Sequence, residues 1–177
     1  QQGNKLFGTG ATGTARQGWS ISLSADGNTA VVGGYLDNTS TGAVWVFTRS
    51  GGTWTQLGNK LVGAGAIGTA QVGYSVSLSS DGNTLIAGGY LDNSNTGAAW
   101  VFTRSGSTWI QQGNKLVGTG AVGASRQGNA VGINADGNTV MVAGYLDNSN
   151  AGAIWLYTRS GSTWSQQGNK LVGTGAT

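Results

Sequence analysis

The chain of 177 residues contains no cysteine, no histidine and no proline, and all six of its acids are aspartate. Without cysteine or histidine there are no disulfides, no thiolate or imidazole metal sites and no imidazole catalysis. The aspartates recur far apart along the chain, and the many serines have no evident base beside them. An enzyme is therefore not expected, and no cofactor is implied. Charge is also scarce: nine basic residues against six acids give +3, spread evenly. That is too weak and too dispersed for a nucleic-acid surface. No apolar run approaches the length needed to span a membrane. The sequence opens on Gln1 without a signal peptide, which reads as a processed product or a piece of something longer.

Glycine is abundant instead, with 34 residues, and serine, threonine and asparagine dominate the polar positions. Such a composition favours tight turns and short strands over helices. The order behind it is a repeat. "QQGNKL" at position 1 returns as "QLGNKL" at 56, "QQGNKL" at 111 and "QQGNKL" at 166, a period of 55 residues without insertion or deletion. Residues 1–177 thus form a single repeat domain, with repeats over 1–55, 56–110 and 111–165 and the start of a fourth over 166–177.

Each repeat reads as four short strands. In the second copy, residues 73–79 alternate Tyr74, Val76 and Leu78 with serines, a period of two. Asp81-Gly82 signals a tight hairpin. Residues 84–90 are a continuous run of small apolar groups, as in a strand buried on both faces. A third strand covers 98–104, and a fourth, the longest, covers 108–117. Four antiparallel strands per unit at this period predict an all-β propeller array of three four-stranded blades plus one extra strand. A β-trefoil-like closure is the alternative, since it too has three four-stranded repeats.

Gly18-Trp19-Ser20-Ile21, Asp26-Gly27-Asn28 and Val32-Gly33-Gly34 resemble the FG-GAP repeat, the blade motif of integrin α-subunit propellers. Copy two matches with Gly73-Tyr74-Ser75-Val76, Asp81-Gly82-Asn83 and Ala87-Gly88-Gly89, and copy three with Gly128, Val131, Asp136-Gly137-Asn138 and Ala143-Gly144. The resemblance implies a propeller, an extracellular or cell-surface location and, in many such blades, calcium-dependent adhesion. Calcium needs about 6–8 oxygen ligands, whereas each loop here holds one acid, Asp26, Asp81 or Asp136. These loops read as hairpin turns, and no metal is assigned. The family's Gly-Ala-Pro position carries tyrosine here, at Tyr35, Tyr90 and Tyr145.

"GYLDN" follows the second strand of every copy. It nominates Tyr35, Asp37 and Asn38, Tyr90, Asp92 and Asn93, and Tyr145, Asp147 and Asn148 as ligand-binding residues on one face of the array. A flat ring with a polar tip beside paired acceptors and donors suits a sugar or a polar peptide. The other reading is internal: the tyrosine and leucine cover a neighbouring blade, and the aspartate and asparagine hold the loop backbone. Trp54, Trp109 and Trp164 beside the rim turn are candidate sugar platforms, whereas Trp45, Trp100 and Trp155 read as core. Trp19 becomes Tyr74 and Asn129, so that position faces something not strictly repeated. Arg49, Arg104 and Arg159, with Lys5, Lys60, Lys115 and Lys170, read as solvated edge charges.

Three blades do not close a ring, since propellers typically have about 4–8. A second copy would supply a six-bladed dimer, joined through open blade faces and through the duplicate terminal elements 1–8 and 166–173. The expected function is a non-enzymatic binding or assembly module. It would recognise glycan or protein multivalently through the repeated loops; a structural or engineered self-assembling propeller is the alternative.

Overall fold

A computed structural model describes residues 2–175. Gln1, and Ala176 and Thr177 of the partial repeat, lie outside the described residues. Blade 1 consists of β1 (Ser20–Leu23), β2 (Thr29–Gly34), β3 (Ala43–Ser50) and β4 (Thr53–Gln56). Blade 2 consists of β5 (Ser75–Leu78), β6 (Thr84–Gly89), β7 (Ala98–Ser105) and β8 (Thr108–Gln111). Blade 3 consists of β9 (Ala130–Ile133), β10 (Thr139–Gly144), β11 (Ala153–Ser160) and β12 (Thr163–Gln166). Each blade is an antiparallel sheet in chain order, and the three sheets remain separate, so the trefoil alternative falls. The innermost strands β1, β5 and β9 adjoin one another.

Burial follows position in the stack. All six residues of β6 are buried, because blade 2 is covered on both faces. In β2 and β10, which have one covered face each, exposed or half-buried residues interrupt the buried ones. Leu85, Ile86, Trp100 and Val101 are fully enclosed in blade 2, and each such aliphatic contributes about 1.5–3 kcal/mol. The third-strand tryptophans are core, as read: Trp45, Trp100 and Trp155 are 0 % exposed. Each indole N–H donates to a backbone carbonyl, of Thr9, Ala64 and Thr119 respectively. Two apolar faces stay open. Blade 1 leaves Ile21 and Leu23 exposed, and blade 3 leaves Met141 and Ile154 exposed.

The fourth strand is shorter than expected. It stops at Gln111; the Gln112 N–H still donates to the Val101 carbonyl, Gly113 then takes φ +75, and the chain meets β7 again at the Ala99–Leu116 bridge. The Asp-Gly hairpin is also longer than a two-residue turn, since it spans 24–28 in blade 1 with Gly27 at φ +65. The terminal elements are not equivalent either. Residues 166–171 complete blade 3 through β12 and an Ile154–Leu171 bridge, so no blade lacks its outer strand. Among the described residues the amino-terminal copy forms no strand, and it exposes Leu6 and Phe7. Strand exchange through the termini is therefore unnecessary to complete these blades.

Candidate binding site

The "GYLDN" loop divides into two parts with different roles. After the tyrosine the chain turns tightly over Asp37–Ser40, with Asn38 at φ 48 and Thr39 at φ 51. Copies two and three repeat it, with Asn93 and Ser94, and Asn148 and Ser149, in the same left-handed region. Asparagine tolerates that conformation, whereas β-branched Thr39 does so only under surrounding constraint. The aspartate supplies this constraint. Asp37 is buried, its Oδ1 accepts from the Thr12 backbone N–H at 2.7 Å, and its Oδ2 lies 2.5 Å from Lys60 Nζ. Asp92 does the same with Ile67 and Lys115, and Asp147 with Val122 and Lys170.

Two expectations are thereby corrected. Asp37, Asp92 and Asp147 do not face a ligand; a buried carboxylate must be paired and hydrogen-bonded, and these are. Lys60, Lys115 and Lys170 are not solvated edge charges but the counter-ions of those carboxylates. Lys5 pairs with no acid among the described residues. Asn38, Asn93 and Asn148 are exposed at the turn tips. Their backbone N–H groups donate to Thr12, Ile67 and Val122 carbonyls, so the tips are anchored.

The tyrosines behave differently. Tyr35, Tyr90 and Tyr145 follow β2, β6 and β10 directly, at the end of the blade where the inner strand begins. Pairing of Ser20 with Gly33 brings Trp19 beside Tyr35, with ring centroids 4.8 Å apart. Tyr74 lies 5.6 Å from Trp19, 5.5 Å from Tyr35 and 4.3 Å from Tyr90. An unbroken aromatic strip therefore crosses from blade 1 to blade 2, and an arginine stands at each end. Arg16 Nη1 donates to the Tyr35 hydroxyl at 2.7 Å, and Arg126 Nη1 to the Tyr145 hydroxyl at 2.7 Å. The Arg126 guanidinium also lies 5.6 Å from the Tyr90 ring and 5.8 Å from the Tyr145 ring, so it joins blade 2 to blade 3.

The strip is not three equal sites. Tyr35 is 8 % exposed, Tyr145 45 % and Trp19 50 %. Burial, then the neighbouring Tyr74, push the Tyr90 hydroxyl above its ordinary value against the opposing charge of Arg126. Neither arginine has a carboxylate within ion-pair distance among the described residues. Arg126 Nε and Gln71 Oε1 are buried without a hydrogen-bond partner among them. Sequence reasoning missed Arg16, Tyr74 and Arg126 as site residues. Their signal is "ARQGW", "AQVGY" and "SRQGN" before each inner strand, in phase with the repeat but varied in content.

The rim tryptophans are walls, not open platforms. Trp109 and Trp164 each line a cavity between neighbouring blades, of about 330 and 300 Å³, and Trp54 lines one of about 310 Å³ between blade 1 and the amino-terminal segment. Trp109 is buried, and arginines cover the other two rings, Arg49 at 5.6 Å from Trp54 and Arg159 at 5.4 Å from Trp164. Trp164 Nε1 donates to Gln112 Oε1, whereas Leu57 in the equivalent place leaves Trp109 Nε1 without a partner among the described residues. The β1–β2 loop closes on itself. Asp26 accepts from the Ser24 hydroxyl and from the backbone and side-chain N–H groups of Asn28, which hold its pKa down at about 2. Among the described residues no group of three or more potential ligand side chains is placed to hold a metal. No helix among them is long and apolar enough to cross a membrane.

No known family and no curated protein matches the chain by sequence. Solved structures match its shape. A protein of Bacteroides uniformis assigned as a 6-phosphogluconolactonase aligns with TM-score 0.58 at 19 % identity, over 86 % of this chain and 39 % of that one. KlAtg21, solved in complex with the coiled-coil of AgAtg16, aligns at 0.55 and 17 % identity, over 85 % and 43 %. Sqt1 of Saccharomyces cerevisiae aligns at 0.54 and 15 % identity, over 88 % and 35 %. These are propeller folds, and the three blades here share their architecture without forming a closed sheet. The chain spans less than half the length of each.

Proposed function

We propose that this chain is a non-enzymatic propeller module that binds a protein segment carrying carboxylates, through the strip from Arg16 to Tyr145. The observation that carries this reading is the strip itself. Five aromatic rings and two arginines without acidic partners among the described residues line one end of three adjoining blades. The rings offer apolar area at low entropic cost, and the arginines offer forked donors that match carboxylates. The coiled-coil held by KlAtg21 supports a polypeptide as the class of partner for this frame. The half-exposed faces of Trp19 and Tyr145 favour a second reading, in which a uronate-bearing glycan stacks on them. Either way the site is one extended surface, in place of the three equal sites the repeat suggested. We also assign the blades to the FG-GAP type, on Gly18, Gly73 and Gly128 at the entry to each inner strand, and on that assignment place the module outside the cell.

The test uses poly-glutamate and uronate oligosaccharides as probes, read by tryptophan fluorescence and calorimetry. Binding of poly-glutamate that weakens about tenfold or more in Arg126→Ala, with far-UV circular dichroism unchanged, supports the first reading. Binding confined to the uronates supports the second. Binding of neither, or binding indifferent to Trp19→Ala and Arg126→Ala, overturns both.

A further inference from the structure

Blades 1 and 2 hold the next blade by one repeated set of contacts. The Ser20 hydroxyl donates to the Gly73 carbonyl at 2.7 Å, and the Ser75 hydroxyl to the Gly128 carbonyl at 2.8 Å. Ser22 and Ser77 hydroxyls accept from the backbone N–H of Leu78 and Ile133. Gly33 and Gly88 sit so close to the next blade that a Cβ on either would stand 2.0 Å from the carbonyl oxygen of Gly73 or Gly128. Val31, Ile86 and Ala99 are completely covered.

On the outward face of blade 3 every part of that set is changed. Ala130 stands where the donor serine was, Gly132 where the acceptor serine was, and Ala143 puts a methyl where the junction requires glycine. Met141 and Ile154 are exposed there. The opposite face of blade 3, packed on blade 2, keeps its apolar core positions conservatively, with Ile133 for Leu78, Val140 for Leu85 and Tyr157 for Phe102, and departs only at its edge, with Asn129 for Tyr74. Blade 1 meanwhile keeps the receiving half of the junction. Gly18 has φ +90, like Gly73 at +85 and Gly128 at +82, with Ile21 and Leu23 open beside it.

We infer that the outward face of blade 3 rejects blade 1 of a second copy, so the chain does not close a six-bladed ring by repeating its own junction. In that docked position the Ala143 methyl would meet the Gly18 carbonyl. Backbone carries both groups, so neither turns aside as a flexible side chain would. The Leu23 N–H and Gly18 carbonyl would also be covered without the serines that satisfy their counterparts. What fits there is a sheet face with an apolar inner strand set further from Ala143, which needs no hydroxyl: a blade different in sequence from the three here.

The test is sedimentation velocity across a dilution series, with light scattering for absolute mass. Four proteins are compared: the native chain, the native chain with Ile21→Lys, a graft of blade 2's residues (Ala130→Ser, Gly132→Ser, Met141→Ile, Ala143→Gly, Ile154→Ala), and the graft with Ile21→Lys. The graft is expected to self-associate at least about tenfold more tightly than the native chain, and Ile21→Lys to abolish that gain. If the full graft does not fold, Ala130→Ser with Ala143→Gly carries the same comparison. A native dimer that Ile21→Lys dissolves would overturn the inference. So would a folded graft that associates no more tightly than the native chain.

Discussion

Replacing Lys115 by methionine removes one of the three buried ion pairs that hold the loop turns, the one in copy two. The Asp92 side chain is 1 % exposed, and its Oδ2 lies 2.5 Å from Lys115 Nζ. Its Oδ1 keeps one further bond, from the Ile67 N–H at 2.7 Å. Without the ammonium a buried carboxylate stands uncompensated, a change that costs about 3–5 kcal/mol. An exposed pair would cost only about 0–1 kcal/mol, so the magnitude separates the two descriptions. Asp92→Asn is gentler, at about 1–3 kcal/mol, because the amide oxygen still serves Ile67 and Lys115, at 17 % exposure, reaches water. The double variant is expected to lie closer to Asp92→Asn than to Lys115→Met, with a coupling of at least about 1 kcal/mol. Urea unfolding followed by circular dichroism measures all three. In thermal melts Lys115→Met should lower Tm by roughly 6 °C or more for a chain of this length. A cost below about 1 kcal/mol for Lys115→Met would refute the assignment of these lysines as counter-ions and return them to the solvated edge.

The remaining predictions concern packing and titration. Gly88→Ala drives a Cβ to 2.0 Å from the Gly128 carbonyl oxygen and should cost about 1–3 kcal/mol or more, whereas Ala143→Gly on the open face should change stability by less than about 1 kcal/mol; equal costs in denaturant titrations would count against the junction described. Trp100→Ala removes a fully buried indole and its bond to the Ala64 carbonyl, for about 3–5 kcal/mol by the same assay. Asp26 is held at about 2 against an ordinary 3.8. Its stabilising effect is thus fully present above pH 3.8 and is lost as pH falls through 2; Asp26→Asn should flatten that part of the acid-stability curve, and an unchanged slope would contradict the hydrogen bonds assigned to it. The Tyr90 hydroxyl should ionise above its ordinary value of 10.0 in an ultraviolet titration, since burial disfavours the phenolate, and Tyr90→Phe should remove that late step.

Much of the architecture was legible in the sequence, because repetition fixes what a single copy leaves ambiguous. A strict period, alternating Tyr74, Val76 and Leu78, and the apolar run into Gly88-Gly89 are local signals, and local backbone physics decides them. The core role of Trp45, Trp100 and Trp155 was legible for the same reason. The partners of the loop residues were not. Asp92 meets Lys115 across 23 positions and Ile67 across 25, and nothing in the order of residues says which lysine enters which turn. The same motif hid two different environments: burial sealed the aspartates off with their lysines, while the tyrosines joined a strip of rings whose exposure runs from 8 % at Tyr35 to 45 % at Tyr145. Only the stacking of sheets brought Trp19, Tyr74 and Arg126 into one strip, since residues from three separate repeats meet there. Stacking also gives meaning to the step from Gly33 and Gly88 to Ala143. A methyl is a minor change in a strand, but it is decisive where another blade's backbone must come within 2.0 Å of that position.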